Sequence, residues 1–531
     1  MELAELIKTS KVDDVVLSRP FLQPVKGTLC VTSHHLLLSS RTGSAEELWL
    51  LIRNIDAIEK RFSGSSGIIT VKCKDLCVWF LEIPGMEECL NIASSIEALS
   101  SLESVTDMYP FFYRPKSVKL WQGWDLCRPE VQYDRLSSHT NNWRLSYVNK
   151  DFTVCPSYPD AVIVHRSIKD AALKIVAKFR QGGRFPVLSY YHRKNGMVIM
   201  RSSQPLTGAN GKKCKEDENI LAAVLPPGSA GYIIDTRSVQ AAHQDKVKGG
   251  GWESKGNYPN WKRLHKPIDR GRVLQESLVK LVDAYSGQSN SIDRWLSKLE
   301  ASKWLSHVKT ILTTACLAAQ CVDREEGCVL IHGSEGRDTV LQLTSLAQVI
   351  LDPDCRTLVG FQALIEREWL QAGHPFQLRC ASSAYSHAKL KHEAPVFLIF
   401  LDCCWQLSIQ FPCSFQFNQQ FLITLFEHAY ASRFGTFLCN TEEERSMLKV
   451  KERTISLWPW INSSSEREKY LNPLYERNSL SIWPSVAPQS IQLWNGLFLR
   501  WKQSSEQQIE AWEQISHIMR HGRRESIPTA D

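Results

Sequence analysis

One stretch limits what this chain can become more than any other. Cys328-Val-Leu-Ile-His332 is an apolar run, followed at once by Gly333-Ser-Glu-Gly-Arg-Asp-Thr339 and then by the apolar-periodic segment from Val340 to Leu351. The order predicts a buried strand, a glycine-containing turn and a helix start. A turn of this kind aims backbone N–H groups and the positive end of a helix dipole at one point, which makes an anion site. The candidate residues are His332, Gly333, Ser334, Glu335, Gly336, Arg337, Asp338 and Thr339.

The rest of the chain supplies a scaffold for such a loop. Val187 to Tyr191, Met197 to Met200 and Gly231 to Asp235 read as further strands of a central sheet. Leu299 to Cys321, Phe361 to Leu370 and Phe421 to Ala431 carry helical apolar faces. Alternation of this kind from about residue 120 to 500 is the pattern of an α/β domain. Upstream, Gly27–Thr32, His35–Ser40, Leu48–Ile52, Gly67–Lys72 and Leu76–Ile83 read as antiparallel strands, with a helix from Met86 to Leu99. Residues 4–99 are therefore expected to form a small strand barrel closed by a C-terminal helix. Residues 100–122 are a linker whose Asp107-Met-Tyr-Pro-Phe-Phe-Tyr-Arg-Pro115 is expected to lie extended. Residues 123–500 form the large domain, and 505–521 a short helical tail.

Composition excludes several classes. With 43% hydrophobic and 22% charged residues the chain is globular rather than disordered. Seventeen tryptophans point to buried aromatic scaffold in a large domain. Sixteen irregularly spaced cysteines without an apolar leader are expected to be free thiols in a reducing compartment. Cys73, Cys77, Cys403 and Cys404 lack partners at zinc spacing, and His374 and His392 stand alone, so no metal is expected. The longest apolar run, Ala394 to Leu401, is too short to span a bilayer, so any membrane association is peripheral. A net charge of +7 is compatible with anionic surfaces, and nothing points to nucleic acid. Lys60, Arg61, Lys72 and Lys74 are the small domain's only candidates for phosphoinositide contact, and equally a solvated edge. The Asn462-Ser-Ser464 sequon is a match by letter only.

The loop string His332 to Thr339 resembles H-C-S-D-G-W-D-R, the active-site loop of the myotubularin phosphoinositide 3-phosphatases. Ser334, Gly336 and Asp338 match, Glu335 stands for Asp and Arg337 for Trp. The resemblance extends over roughly residues 4 to 500. It is carried by Val154-Cys-Pro-Ser-Tyr158, Gly183-Arg-Phe-Pro-Val-Leu-Ser-Tyr190, Ser203-Gln-Pro-Leu206, Lys215-Glu-Asp-Glu218, Lys248-Gly-Gly-Gly-Trp-Glu-Ser254 and Trp295-Leu-Ser-Lys-Leu-Glu300. Gly373-His-Pro-Phe-Gln-Leu-Arg379, Gln410-Phe-Pro412, Phe434-Gly-Thr-Phe437 and Asn472-Pro473 continue it. It implies an N-terminal domain of the pleckstrin-homology/GRAM type and a protein-tyrosine-phosphatase-like α/β domain.

Set on the family's H-C-x5-R, the nucleophile position is Gly333 and the arginine position Thr339. No thiolate can attack phosphorus, and no guanidinium can grip the phosphoryl oxygens. Losing such a nucleophile costs about 10^6 in rate. Asp338 falls where the family keeps its general acid. The expectation is therefore a pseudophosphatase with no catalytic residues and no cofactor. Cys439-Asn-Thr-Glu-Glu-Glu-Arg445 satisfies C-x5-R literally, but three carboxylates and no glycine make it a chance spacing. Arg379 matches a family arginine that contacts lipid phosphate, and Arg337 either bends back over the anion site or, more simply, points to solvent.

By the same resemblance, the chain is expected to be an adaptor. It would pair with active myotubularin-related phosphatases, or with itself, and stabilise or activate them in phosphatidylinositol 3-phosphate and 3,5-bisphosphate metabolism, with weak membrane contact of its own. Its expected place is the cytoplasm, peripherally on endosome, endoplasmic reticulum or perinuclear membranes, in endosomal and autophagic traffic. The alternative is a stand-alone phosphoinositide reader. The tail departs from the family's coiled coil. Trp512, Ile515 and Met519 give a seam of three positions, short of the three to four heptads a stable coiled coil needs.

Overall fold

The computed structural model describes residues 3–20, 22–40, 47–116, 123–286, 291–386 and 392–501. The tail expected at 505–521 lies outside these residues.

Seven strands form the N-terminal sheet: β1 Lys11–Ser18, β2 Val25–Val31, β3 His35–Ser40, β4 Leu48–Leu51, β5 Ile55–Ser63, β6 Ser66–Cys73 and β7 Val78–Pro84. They are antiparallel in the order β4-β3-β2-β1-β7-β6-β5 and curl around their own apolar core, against which the helix Met86–Ser100 packs Cys89, Ile92, Ala93, Ile96 and Leu99. Two of these strands escape a reading by alternation. In β1 a bulge between Val12 and Val15 places two aspartates in succession and breaks the period of two. In β5 the last five residues are exposed, as an edge strand's can be.

The large domain is built on a five-stranded sheet of β10 Val187–Tyr191, β11 Val198–Ser203, β12 Gly231–Asp235, β13 Trp261–His265 and β14 Cys328–Gly333; a separate hairpin, β8 Trp143–Ser146 with β9 Val162–His165, lies upstream. The order is β10-β11-β14-β12-β13, and only β10 runs antiparallel. The register sets Ser203 beside Gly333 and Asp235 beside His332, so four parallel strands end at one edge. Open α/β sheets place their ligand sites at that edge. All six residues of the central β14 are buried, as are all thirteen of the helix Thr339–Leu351 that follows. Trp304, Trp369, Trp458 and Trp494 are fully buried in the same domain.

Three expectations change. The periodic run from Leu299 to Cys321 is two helices, Ile292–Ser302 and Trp304–Asp323, separated by Lys303 in the left-handed conformation at φ 59°. The run from Phe361 to Leu370 is a helix, Leu358–Ile365, that widens into a π-turn over Glu366–Leu370. Residues 107–113 are not extended. They form two tight turns, Val105–Asp107 and Tyr109–Phe111, with Pro110 and Phe111 buried and Tyr109 edge-on to His35.

The two domains are joined by specific polar bonds. The Asp56 carboxylate accepts the backbone N–H groups of Ala384, Tyr385 and Ser386 at 2.6, 3.2 and 2.7 Å. Lys74 is fully buried and donates to the Ala381 carbonyl at 2.8 Å; burial first, then Arg53, pushes its ammonium down to about 7. Of the other cations expected there, Lys60 pairs with Glu97 and Lys72 with Glu59. All sixteen cysteines are unpaired thiols. No helix among the described residues is long and apolar enough to cross a membrane.

Candidate phosphate-loop site

Residues 334–338 leave the C-terminal end of β14 and turn into the helix Thr339–Leu351. Gly336 makes the turn possible. Its φ is +74°, and a Cβ there would lie 2.4 Å from the Ser202 carbonyl oxygen. Among the described residues, the N–H groups of Glu335, Gly336, Arg337 and Asp338 reach no backbone or side-chain acceptor. The cradle that the strand–turn–helix order predicts is therefore present in the backbone.

The side chains around it are engaged with each other. A Cβ on Gly333 would meet Thr236 Oγ1 at 2.6 Å, and that hydroxyl is bonded to Thr339 Oγ1 at 2.8 Å. Ser334 donates its hydroxyl to Asp245 at 2.5 Å, so a carboxylate stands beside the loop. Arg379 grips Asp338 with Nε at 3.1 Å and Nη2 at 2.8 Å, while its Nη1 donates to the His392 carbonyl at 2.7 Å. Fully buried His374 lies with Nδ1 2.9 Å from the Arg337 carbonyl and 3.3 Å from Asp338. Burial alone would raise the Asp338 carboxyl; the hydrogen bond from His374 and the charge of Arg379 overcome this and hold it far below the carboxylate range. An aspartate so held is an anion, not a proton donor.

Arg337 takes neither of its two expected positions. Half-buried, it donates Nε to the Gly373 carbonyl at 2.7 Å and Nη2 to the Asn440 carbonyl at 3.2 Å, tying the loop to two distant segments. Glu335 is exposed. Cys439 and Arg445 are apart from the loop and structural: Arg445 is buried and donates to the Leu438 and Leu370 carbonyls, and burial pushes the Cys439 thiol up to about 11. Among the described residues no group of three His, Cys, Asp or Glu could hold a metal.

Behind the loop runs a buried charge chain that no local pattern announced. His332 Nε2 lies 2.8 Å from Glu253, Arg180 bonds Glu253 at 2.7 Å and Asp217 twice at 2.7 Å, and Tyr258 donates to Asp217 at 2.6 Å. Burial would raise the Glu253 carboxyl, yet the charges of His332 and Arg180 keep it well below its ordinary value. Arg184 and Glu253 lie inside the motifs Gly183-Arg-Phe-Pro and Trp252-Glu253-Ser254 without a role that the sequence reveals, while Thr236 and Asp245 fall in no motif.

Residues 108–446 match the myotubularin-like phosphatase domain, and residues 11–100 match the GRAM domain of the MTMR6-9 group. The chain belongs to the myotubularin family. It is similar to myotubularin-related protein 9 of Mus musculus, with 64% identity over 523 residues covering 98% of this chain and 96% of the relative. The Homo sapiens protein of that name is also 64% identical, over 98% and 95%. The Homo sapiens phosphatidylinositol-3,5-bisphosphate 3-phosphatase MTMR6 is 36% identical over 507 residues, 93% of this chain and 80% of the relative. The small curled sheet is thus a GRAM domain, and the large α/β domain a myotubularin domain.

Proposed function

We propose that this chain is a catalytically inactive myotubularin that serves as a regulatory subunit of active myotubularin-related phosphatases, stabilising or activating them. One observation carries the reading. The family scaffold and the loop backbone are retained, while Gly333 and Thr339 fall where the resemblance sets the nucleophile and the arginine, and the Thr236 hydroxyl stands 2.6 Å from where a Cβ at 333 would lie. A loop without a sulfur atom cannot form a phosphocysteine, and an ionised Asp338 clamped by Arg379 cannot protonate a leaving group.

The partner class is supported by relatives named as phosphatidylinositol-3,5-bisphosphate 3-phosphatases. Residues 4–99 and 123–500, joined through 100–122, are the units we assign to this role, on the cytoplasmic face of endosomal or endoplasmic-reticulum membranes. The stand-alone lipid reader is the weaker reading at this loop, because Arg379 already holds a carboxylate in two bonds. The test uses the purified full chain with purified MTMR6. Alone it should release no phosphate from phosphatidylinositol 3,5-bisphosphate; together the two should co-elute and the phosphatase should turn over faster or survive heating longer. Turnover by the chain alone, or an MTMR6 indifferent to its presence, overturns the proposal.

A further inference from the structure

A groove of about 700 Å³ opens on the outer side of the loop, lined by Lys174, Lys178, Arg184, Glu335 and Arg337. Gly333, Asp338, Thr339 and Arg379 do not line it, so it is separate from the floor of the loop. Its size is within the range of about 300–1,000 Å³ that holds small ligands.

The groove's charge is what sets it apart. Arg184 is 2% exposed and lies over the Tyr158 ring, its Nη atoms donating to Ser157 and to the Gly336 carbonyl at 2.8 Å. Its Nε has no hydrogen-bond partner. Arg337 donates only to backbone carbonyls. Among the described residues neither guanidinium forms an ion pair, whereas buried Arg180 nearby has two carboxylates. Burial, followed by the like charges of Arg201 and Arg337, pushes Arg184 down to about 10. Lys174 and Lys178 are exposed, four residues apart at the end of the helix Asp170–Ala177, and face the same opening. Four cations against the single carboxylate of Glu335 leave an excess of +3 around one cavity. Unpaired buried cations are costly, and an anion seated between them would offset that cost.

We propose that this groove binds a multiply phosphorylated small anion, free or as the headgroup of a lipid. The two arginines are fixed by bonds to backbone carbonyls and, for Arg184, to the Ser157 hydroxyl, and would meet one phosphate in the recess, while the two exposed lysines would meet another at the rim. An acidic peptide fits less well, because the cations surround one cavity instead of lining a track. Arg337 stands where the family loop has tryptophan, so the recess owes one of its cations to this chain's own sequence.

The proposal does not depend on the regulatory role, and its test contains no phosphatase. Inositol hexakisphosphate is titrated calorimetrically into the purified full chain at about 0.15 M salt. In parallel, the chain is floated with phosphatidylcholine vesicles with and without phosphatidylinositol 3,5-bisphosphate. Lys174→Glu/Lys178→Glu, both exposed and remote from the core, should weaken binding by about tenfold or more, and Arg337→Gln should weaken it too. Lys262→Glu/Lys266→Glu makes the same charge change at exposed lysines on and just past β13, outside the groove's lining, and should leave binding within about twofold. Groove-dependent heat with the soluble probe assigns a free ligand; groove-dependent flotation alone assigns a lipid headgroup. Failure of both probes, equal losses in the two lysine pairs, or displacement by polyglutamate but not by the hexakisphosphate overturns the inference.

Discussion

A side chain at position 333 would meet one obstacle. The Thr236 hydroxyl, held by Thr339, lies 2.6 Å from where a Cβ would be. Gly333→Cys should therefore overpack the loop and lower stability by about 1–3 kcal/mol in chemical denaturation. Adding Thr236→Ala should recover most of that loss, and it should be required before Gly333→Cys/Thr339→Arg shows any phosphate release. Equal stability of Gly333→Cys and its Thr236→Ala double variant would contradict this account. At this scale the letters at 333 and 339 were legible by alignment to the loop pattern. The obstruction was not, because Thr236 reaches the loop only through the β12–β14 pairing.

Between residues and the whole molecule, elements are legible where apolar residues run without interruption, and less so elsewhere. Strands β10, β12 and β14 and the first GRAM helix follow their apolar patterns closely. β13 was missed because Trp261-Lys-Arg-Leu-His265 carries two cations, one exposed and one half-exposed at the sheet's edge. The break at Lys303 was hidden because Trp304, Val308 and Ile311 keep the helical period going past it. A lysine at φ 59° is strained, whereas glycine adopts that conformation freely. Lys303→Gly should raise the unfolding free energy by up to about 1 kcal/mol, after the greater freedom of glycine in the unfolded chain is counted. A thermal melt that falls by several degrees instead would mean that packing of the Lys303 side chain outweighs its backbone strain.

For the molecule as a whole, the GRAM sheet reaches into the segment that follows Arg379. Asp56 on β5 caps three successive N–H groups at 384–386, and Lys74, just beyond β6, holds the Ala381 carbonyl. The helix Phe376–Cys380 that carries Arg379 is thus anchored from the other domain. Asp56→Ala would leave those donors buried without a partner, at about 1–3 kcal/mol. Amide exchange at residues 384–386 should then accelerate before that of β14, and proteolysis should cut there first. Unchanged exchange would mean that the interdomain bond is not what orders the segment. An apolar pattern gives no hint of this bond, since Asp56 and Ala384 are separated by more than three hundred residues.

The chain's letters alone determined the strand–turn–helix order, the backbone anion cradle, the missing cysteine and arginine, and the kinship those motifs carry. All of these are properties of neighbours along the chain, where φ/ψ preference and apolar period act directly. Tertiary structure alone decided that Asp338 belongs to Arg379, that Thr236 stands against Gly333, and that Arg184 and Arg337 share a groove whose lining holds one carboxylate, Glu335, and pairs neither of them in a salt bridge. Those pairings join strands and helices far apart in sequence, and which side chain faces which is fixed only when the sheet register and helix packing close.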